Sequence, residues 1–397
     1  MGCDLGHWSV RGQKFYQKPQ ALLNAIELNE NHVQYHYYDQ VWESFDRSLL
    51  GKRSLDDIYR ERAQQLRDSY DYLILSYSGG WDSRNILQTF IKNNIKLDCI
   101  HFRWPMKFVD NNFYPISRSK SSTNFLCEWD LVIKFDLNWL RKNHPDIRIE
   151  IVDWTDILLE NSTFKDSRFD GIQQFSFMSN FGRQLSHSLV EREMVDKGLK
   201  VACISGVDKP VVELDDNNNF YLCFADTATT VCPPRLYNPH GNEYFYWTPD
   251  MPLVAFEQAH QVLKHLELNP QDQKVFGRDI DPEIIKALGG DAQRRKYELI
   301  HAKFNDENNL IKKIVYSEYD PNLFQADKPM RSLDNFKGNT KDFFLETNSQ
   351  VMEVKKVWHG QWQSWLGQFK NKFQSPPGWF NQCKTKRFYV GKLNTLS

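Results

Sequence analysis

The chain lacks any apolar run long enough to span a membrane, and its N-terminus lacks the apolar core of a signal peptide. Met1-Gly2-Cys3 has the look of a lipidation start, but Gly6 stands where Ser or Thr is wanted. An excess of one charge is missing too. Lys and Arg total 50 against 51 Asp and Glu, so the net charge of −1 gives no whole-molecule field for nucleic acid. No two of the seven cysteines (Cys3, Cys99, Cys127, Cys203, Cys223, Cys232 and Cys383) form a CxxC pair, and their number is odd. Reduced, mostly buried thiols fit that pattern better than a disulfide frame, a zinc site or an iron–sulfur site. These absences describe a soluble cytoplasmic protein with no membrane partner.

Aromatic residues are plentiful at 14%, including 12 Trp and 27 Phe, which suits large packing faces or a stacking surface. With 397 residues and neither low-complexity linker nor internal repeat, the chain divides into four stretches. Residues 1–68 form a preface of α and β pieces, with helical patterns at 19–28 and 54–67. Residues 69–226 alternate strand and helix. Residues 227–350 are mostly helical cover, with helices near 253–265, 282–287 and 292–304. Residues 351–397 are a basic, aromatic tail.

Within 69–226, Tyr72-Leu73-Ile74-Leu75-Ser76-Tyr77 is an apolar run of the kind found in buried parallel strands. Further strands are expected at 97–102, 147–152 and 201–204, with helices at 82–93, 124–141 and 171–195. Alternation of this kind specifies an α/β fold, a parallel sheet with helices on both faces. Residues 211–214 and 220–224 read as a hairpin appended to that sheet.

The first strand runs directly into Ser78-Gly79-Gly80-Trp81-Asp82-Ser83 and then into a helix. Paired glycines let backbone N–H groups approach a ligand, the helix start adds unpaired donors, and Ser78 and Ser83 add hydroxyls. A di- or triphosphate fits such a pocket. Asp82 opposes an anion unless a cation lies between them, so a bridging Mg²⁺ follows from the charges. The competing reading is a plain turn followed by a helix cap.

These six residues, with the strand before and the helix after, resemble the SGGxDS signature of the PP-loop ATP pyrophosphatases. That family includes GMP, asparagine and NAD synthetases, tRNA-thiolating enzymes and sulfonucleotide reductases. The resemblance covers roughly residues 71–205. It implies a Rossmann-like, adenine nucleotide alpha hydrolase-like sheet that binds ATP and Mg²⁺ and cleaves between the α- and β-phosphates. Ser78, Gly79, Gly80 and Ser83 would then hold the pyrophosphate, and Asp82 the metal. Arg84 is either a further phosphate contact or a surface helix residue. No GxxxxGK[ST] accompanies the loop, so it does not look like a γ-phosphate-cleaving Walker NTPase.

A second loop, Ser205-Gly206-Val207-Asp208-Lys209-Pro210, also follows a strand. It is similar to the second acidic loop of asparagine synthetases, which implies that Asp208 shares the metal. Lys209 stands where an acid is usual and would neutralise the leaving pyrophosphate, unless this is only a capped turn. Residues 117–122 read as a lid over the phosphates or as a polar loop.

The acceptor is less legible. Gly2 occupies the position of the N-terminal cysteine used by built-in glutaminases, and thiolating CxxC pairs are missing. Cys383 has the placement of a sulfonucleotide reductase cysteine without its surrounding signature. An adenylating, amide-forming ligase is therefore preferred over a reductase-like or nucleic-acid-modifying enzyme. A non-catalytic nucleotide-binding protein is the third class. Residues 242–250, rich in aromatics, line an acceptor pocket or pack between subdomains. In the tail, Trp358, Trp362, Trp365 and Trp379 among lysines form a nucleic-acid surface or a packed helix face. Residues 58–67, leading through 71–73, resemble PP-loop proteins of large bacteriophages, which would place the chain in a host cytoplasm. Homo-oligomerisation is left open.

Overall fold

The computed structural model describes residues 6–16, 18–30, 32–104, 106, 133–153, 188–206, 209–226, 237–238, 240–273, 310–316 and 383–394. The chain starts with an antiparallel sheet of β1 (His7–Val10), β2 (Gln13–Phe15) and β3 (Gln34–His36), with α1 (Lys18–Glu27) between the last two. Alternation along β1 and β3 sends Trp8, Val10 and Tyr35 into the core and leaves the other face polar. The short α2 (Asp39–Glu43) follows, then α3 (Leu55–Ser69). Ser54 caps α3 by accepting from the Asp57 amide at 3.1 Å, and Asp56 and Asp57 favour its positive end. Its buried stripe is Ile58, Tyr59, Arg62, Ala63 and Leu66.

The α/β unit comprises β4 (Tyr72–Ser76), α4 (Trp81–Lys92), β5 (Cys99–Trp104), α5 (Lys134–Asn143), β6 (Arg148–Asp153), α6 (Leu189–Asp196) and β7 (Val201–Ser205). Then come β8 (Val211–Leu214), β9 (Asn219–Cys223), β10 (Asn242–Tyr244), α7 (Leu253–Leu268) and β11 (Phe388–Lys392). Five strands form a wholly parallel sheet in the order β10-β7-β4-β5-β6. Leu73, Leu75, Ile100 and Phe102 pack with α4 and α5 on one face; Ile74, Cys99 and Cys203 pack with Val190 and Met194 of α6 on the other. This is a Rossmann-like α/β sheet flanked by helices.

Two expectations are corrected. The hairpin β8–β9 does not extend the parallel sheet; with β11 it makes a separate antiparallel sheet in the order β11-β9-β8. The free edge of β7 is taken instead by β10, which the Arg62 guanidinium fastens through Glu243 Oε2 at 2.8 Å and the Tyr244 carbonyl at 3.0 Å. The helix expected over 171–195 cannot be continuous either, because Ser188 is an extended N-cap that accepts from the Glu191 amide at 3.0 Å. Glu150 on β6 reinforces that start by accepting from the Leu189 and Val190 amides at 2.7 and 3.1 Å. Residues 171–187, 124–132 and the helices expected near 282–287 and 292–304 lie outside the described residues.

One hydrophobic core runs from Trp8 to Leu393. Both ends of the chain meet at the buried Asp226, which accepts from Trp8 Nε1 at 2.8 Å and from the Cys383 amide at 3.0 Å. Cys99, Cys203, Cys223 and Cys383 are buried.

Candidate functional site

The sheet order reverses at β4: β5 and β6 lie to one side, β7 and β10 to the other. The loops after β4 and β7 therefore diverge at the carboxyl edge, where open α/β sheets bind ligands. Gly79 takes φ +73°, a left-handed conformation that favours glycine. Gly80 is the N-cap of α4 and offers it no side-chain acceptor. The first-turn N–H groups that follow have no acceptor within the helix. Gly80 itself has φ −74°, and a Cβ added there would meet only Ser78 Oγ at 3.4 Å. Among the described residues nothing requires a glycine at 80.

Ser78 is exposed and Ser83 is buried, and their hydroxyl oxygens lie 3.2 Å apart. Ser83 Oγ also accepts from the Ser78 amide at 3.2 Å and donates to the Gly80 carbonyl at 3.1 Å, which ties the loop into a ring. The loop after β7 reaches the same place. A Cβ on Gly206 would lie 3.2 Å from Asp82 C, from the Ser83 amide nitrogen and from Ile86 Cδ1, so any side chain there would crowd this close approach. Lys209, just beyond, is 6% exposed and its charge acts on Asp82. Asp208 lies outside the described residues, as do residues 117–122.

Asp82 is the electrostatic centre. Lys312 Nζ sits 3.0 Å from its Oδ2, and the Tyr316 hydroxyl donates to its Oδ1 at 2.5 Å. Burial alone would raise its carboxyl, but Lys312, Lys209 and the Tyr316 hydrogen bond outweigh that and hold it at about 2. Asp82 is thus an anion throughout the physiological range. The Tyr246 hydroxyl donates to the Asp82 carbonyl at 2.8 Å and accepts from Asn85 Nδ2 at 3.0 Å. Burial pushes the phenols of Tyr246 and Tyr316 well up, so both remain protonated donors.

Arg84 needs correction. It is 4% exposed and turned inward, so it is no surface residue. Its Nε and Nη2 bond both oxygens of the buried Asp136, at 3.1 Å to Oδ2 and 2.5 Å to Oδ1, and Tyr77 donates to the same carboxylate at 2.6 Å. The guanidinium clamps α4 to α5 rather than facing the loop.

Tyr246 belongs to the aromatic segment 242–250, but Lys312 and Tyr316 carry no signal in the sequence. Lys312 and Tyr316 lie on the helical segment 310–316, more than two hundred residues from Asp82, and no local pattern links them. Tyr59 of α3 holds that segment by donating to the Val315 carbonyl at 2.7 Å, and Gln258 of α7 donates to Tyr59 at 2.9 Å. The aromatic segment 242–250 packs into the core and also borders a cavity. Phe245, Tyr246 and Trp247 are buried, while Asn242, Trp247, Pro249 and Asp250 border a cavity of about 220 Å³ with Tyr38. Glu243 is not available there, being bound by Arg62 and Tyr70.

Among the described residues no cluster of three or more His, Cys, Asp or Glu is arranged to hold a metal. No protein-family model, curated protein or solved structure matches the chain. The chemistry of the edge must therefore speak for itself: uncapped helix N–H groups, two hydroxyls and two ammonium groups surround one carboxylate. Such a set suits a polyanion carrying its own cation.

Proposed function

We propose that this edge binds magnesium-bound ATP and that the protein cleaves it between the α- and β-phosphates, handing AMP to an acceptor oxygen. The observation that carries the reading is Gly80. Among the described residues nothing demands glycine there, yet a side chain at 80 would stand at the start of α4, where Gly80 provides no side-chain cap. Close approach of a ligand to the backbone accounts for it. The strand order, with the first strand central and the fourth beside it, is that of doubly wound sheets that bind nucleotides at this edge.

In this mechanism Ser78, Gly79, Gly80 and Ser83 cradle the pyrophosphate. Lys209 and Lys312 offset the charge that builds on it as the bond to the α-phosphorus breaks. Asp82 is the described carboxylate suited to the nucleotide's Mg²⁺, which needs only one or two such ligands beside phosphates and water. Lys312 occupies that carboxylate and must swing from it towards the phosphates. Arg84 takes no part. An amide-forming ligase remains the preferred reaction. Cys383 is 5% exposed and pinned by its amide to Asp226, which speaks against a reductase-type thiol. For the nucleic-acid reading, three of the four described cations of the tail are already paired: Lys384 and Arg387 with Glu213, and Lys386 with Glu43.

One observation favours a second reading, nucleotide binding without turnover: Asp82 is already satisfied by Lys312 and Tyr316. Incubation with α-labelled ATP and Mg²⁺ separates the two. Labelled AMP or an AMP adduct is expected from the wild type, with a loss of about a hundredfold or more in Asp82→Ala. Labelled ADP would overturn the mechanism, and tight ATP binding with no product across a range of amine and carboxylate acceptors would favour the second reading.

A further inference from the structure

The polar face of the N-terminal sheet holds a second constellation that the nucleotide site does not use. Ser9 on β1 and His36 on β3 project to the same side, away from Trp8 and Tyr35. Ser9 Oγ lies 2.7 Å from His36 Nε2, and His36 Nδ1 lies 2.7 Å from Asp39 Oδ2 at the start of α2. The other Asp39 oxygen accepts from the Tyr37 amide at 3.2 Å, which fixes the carboxylate. The His7 ring stacks on His36 at 4.6 Å and 11°, which fixes the imidazole plane. His36 is 27% exposed and Asp39 16%, so the histidine end of the chain is reachable from solvent while the acid is largely screened. Lys14 stands directly opposite Ser9 in register, exposed and with its ammonium over the Tyr16 ring at 4.8 Å.

We propose that Ser9, His36 and Asp39 form a nucleophilic triad that hydrolyses small carboxylic esters, an activity separate from the nucleotide site. The order of atoms, hydroxyl to Nε2 and Nδ1 to carboxylate, is the one that serine hydrolysis requires. Ser9 Oγ bonds to the ester carbonyl carbon while its proton passes to His36 Nε2, and Asp39 holds Nδ1–H and the imidazolium that forms. The Lys14 ammonium offsets the negative charge on the carbonyl oxygen. Collapse breaks the ester C–O bond, and the alcohol leaves with the proton from His36. Water, deprotonated by the same Nε2, then attacks the acyl-serine, releasing the carboxylic acid and restoring the Ser9 hydroxyl.

The test treats the full chain, without nucleotide, with a fluorophosphonate probe and with p-nitrophenyl acetate, and maps the adduct by mass spectrometry. An adduct on Ser9 is expected, absent in Ser9→Ala. His36→Ala and Asp39→Asn should lower ester turnover by about a hundredfold or more. Thermal unfolding checks that the variants are folded; if one is not, the adduct site in the wild type decides alone. A wild type with no adduct on Ser9, or labelling unchanged in folded His36→Ala, would overturn the proposal. Because no ATP is present, either result leaves the nucleotide reading untouched.

Discussion

Asp82 and Arg84 are two residues apart on α4, and each makes an ion pair with a partner from a distant segment. The Arg84–Asp136 pair is sealed, its side chains 5% and 1% exposed, and the planar fork meets both carboxylate oxygens. The Lys312–Asp82 pair is looser, 17% and 25% exposed, with a single ammonium at 3.0 Å. A sealed bidentate pair has nowhere to go, because separating it would strand two charges in the interior. A partly wetted lysine on a flexible stem can exchange its carboxylate for another anion at little cost. The same chemistry thus serves as a rivet in one place and as a movable contact in the other.

The largest effect should come from breaking the rivet. Arg84→Met removes the guanidinium from the buried Asp136 carboxylate, so urea unfolding should show a loss of about 3–5 kcal/mol. A loss below 1 kcal/mol would mean that Asp136 finds other partners and that the contrast is overstated. The acid limb of stability sharpens the comparison from the other side. The Asp82 carboxyl is held at about 2 against an ordinary 3.8, so its contribution is present above pH 4 and lost as pH falls towards 2. Wild type should therefore lose on the order of 2 kcal/mol more than Asp82→Asn over that interval. Parallel acid curves would show that Lys312 does not hold Asp82 in solution. The smallest structural effect is expected at Gly80→Ala. Stability should change by no more than about 1 kcal/mol, while ATP affinity measured by calorimetry falls at least about tenfold. Unchanged affinity would remove the observation on which the nucleotide reading rests.

How much of this was legible beforehand follows the range of the signals. Strands β4, β5, β6 and β7 fall within two residues of their expected places: β4 and β7 are buried apolar runs, and the edge strand β6 carries Ile149, Ile151 and Val152 between charged residues. Asn242-Glu243-Tyr244 carries no such mark. It becomes a strand because β7 has a free edge and Arg62 binds its carbonyl and its acid. The hairpin was visible from its turn, but not which sheet it joins, since that depends on β11, more than 160 residues later. Ser9, His36 and Asp39 are ordinary polar residues until the pairing of β1 with β3 brings them together.

The sequence by itself determined the parallel sheet and the Ser78–Ser83 loop at its carboxyl edge, because each depends on residues close along the chain. Only the tertiary structure decided that Arg84 turns inward to Asp136, and that Lys312 and Tyr316 come to rest on Asp82. Charge and hydrogen-bonding groups carry no address in sequence; their partners are chosen by which surfaces the packed core brings within 3 Å.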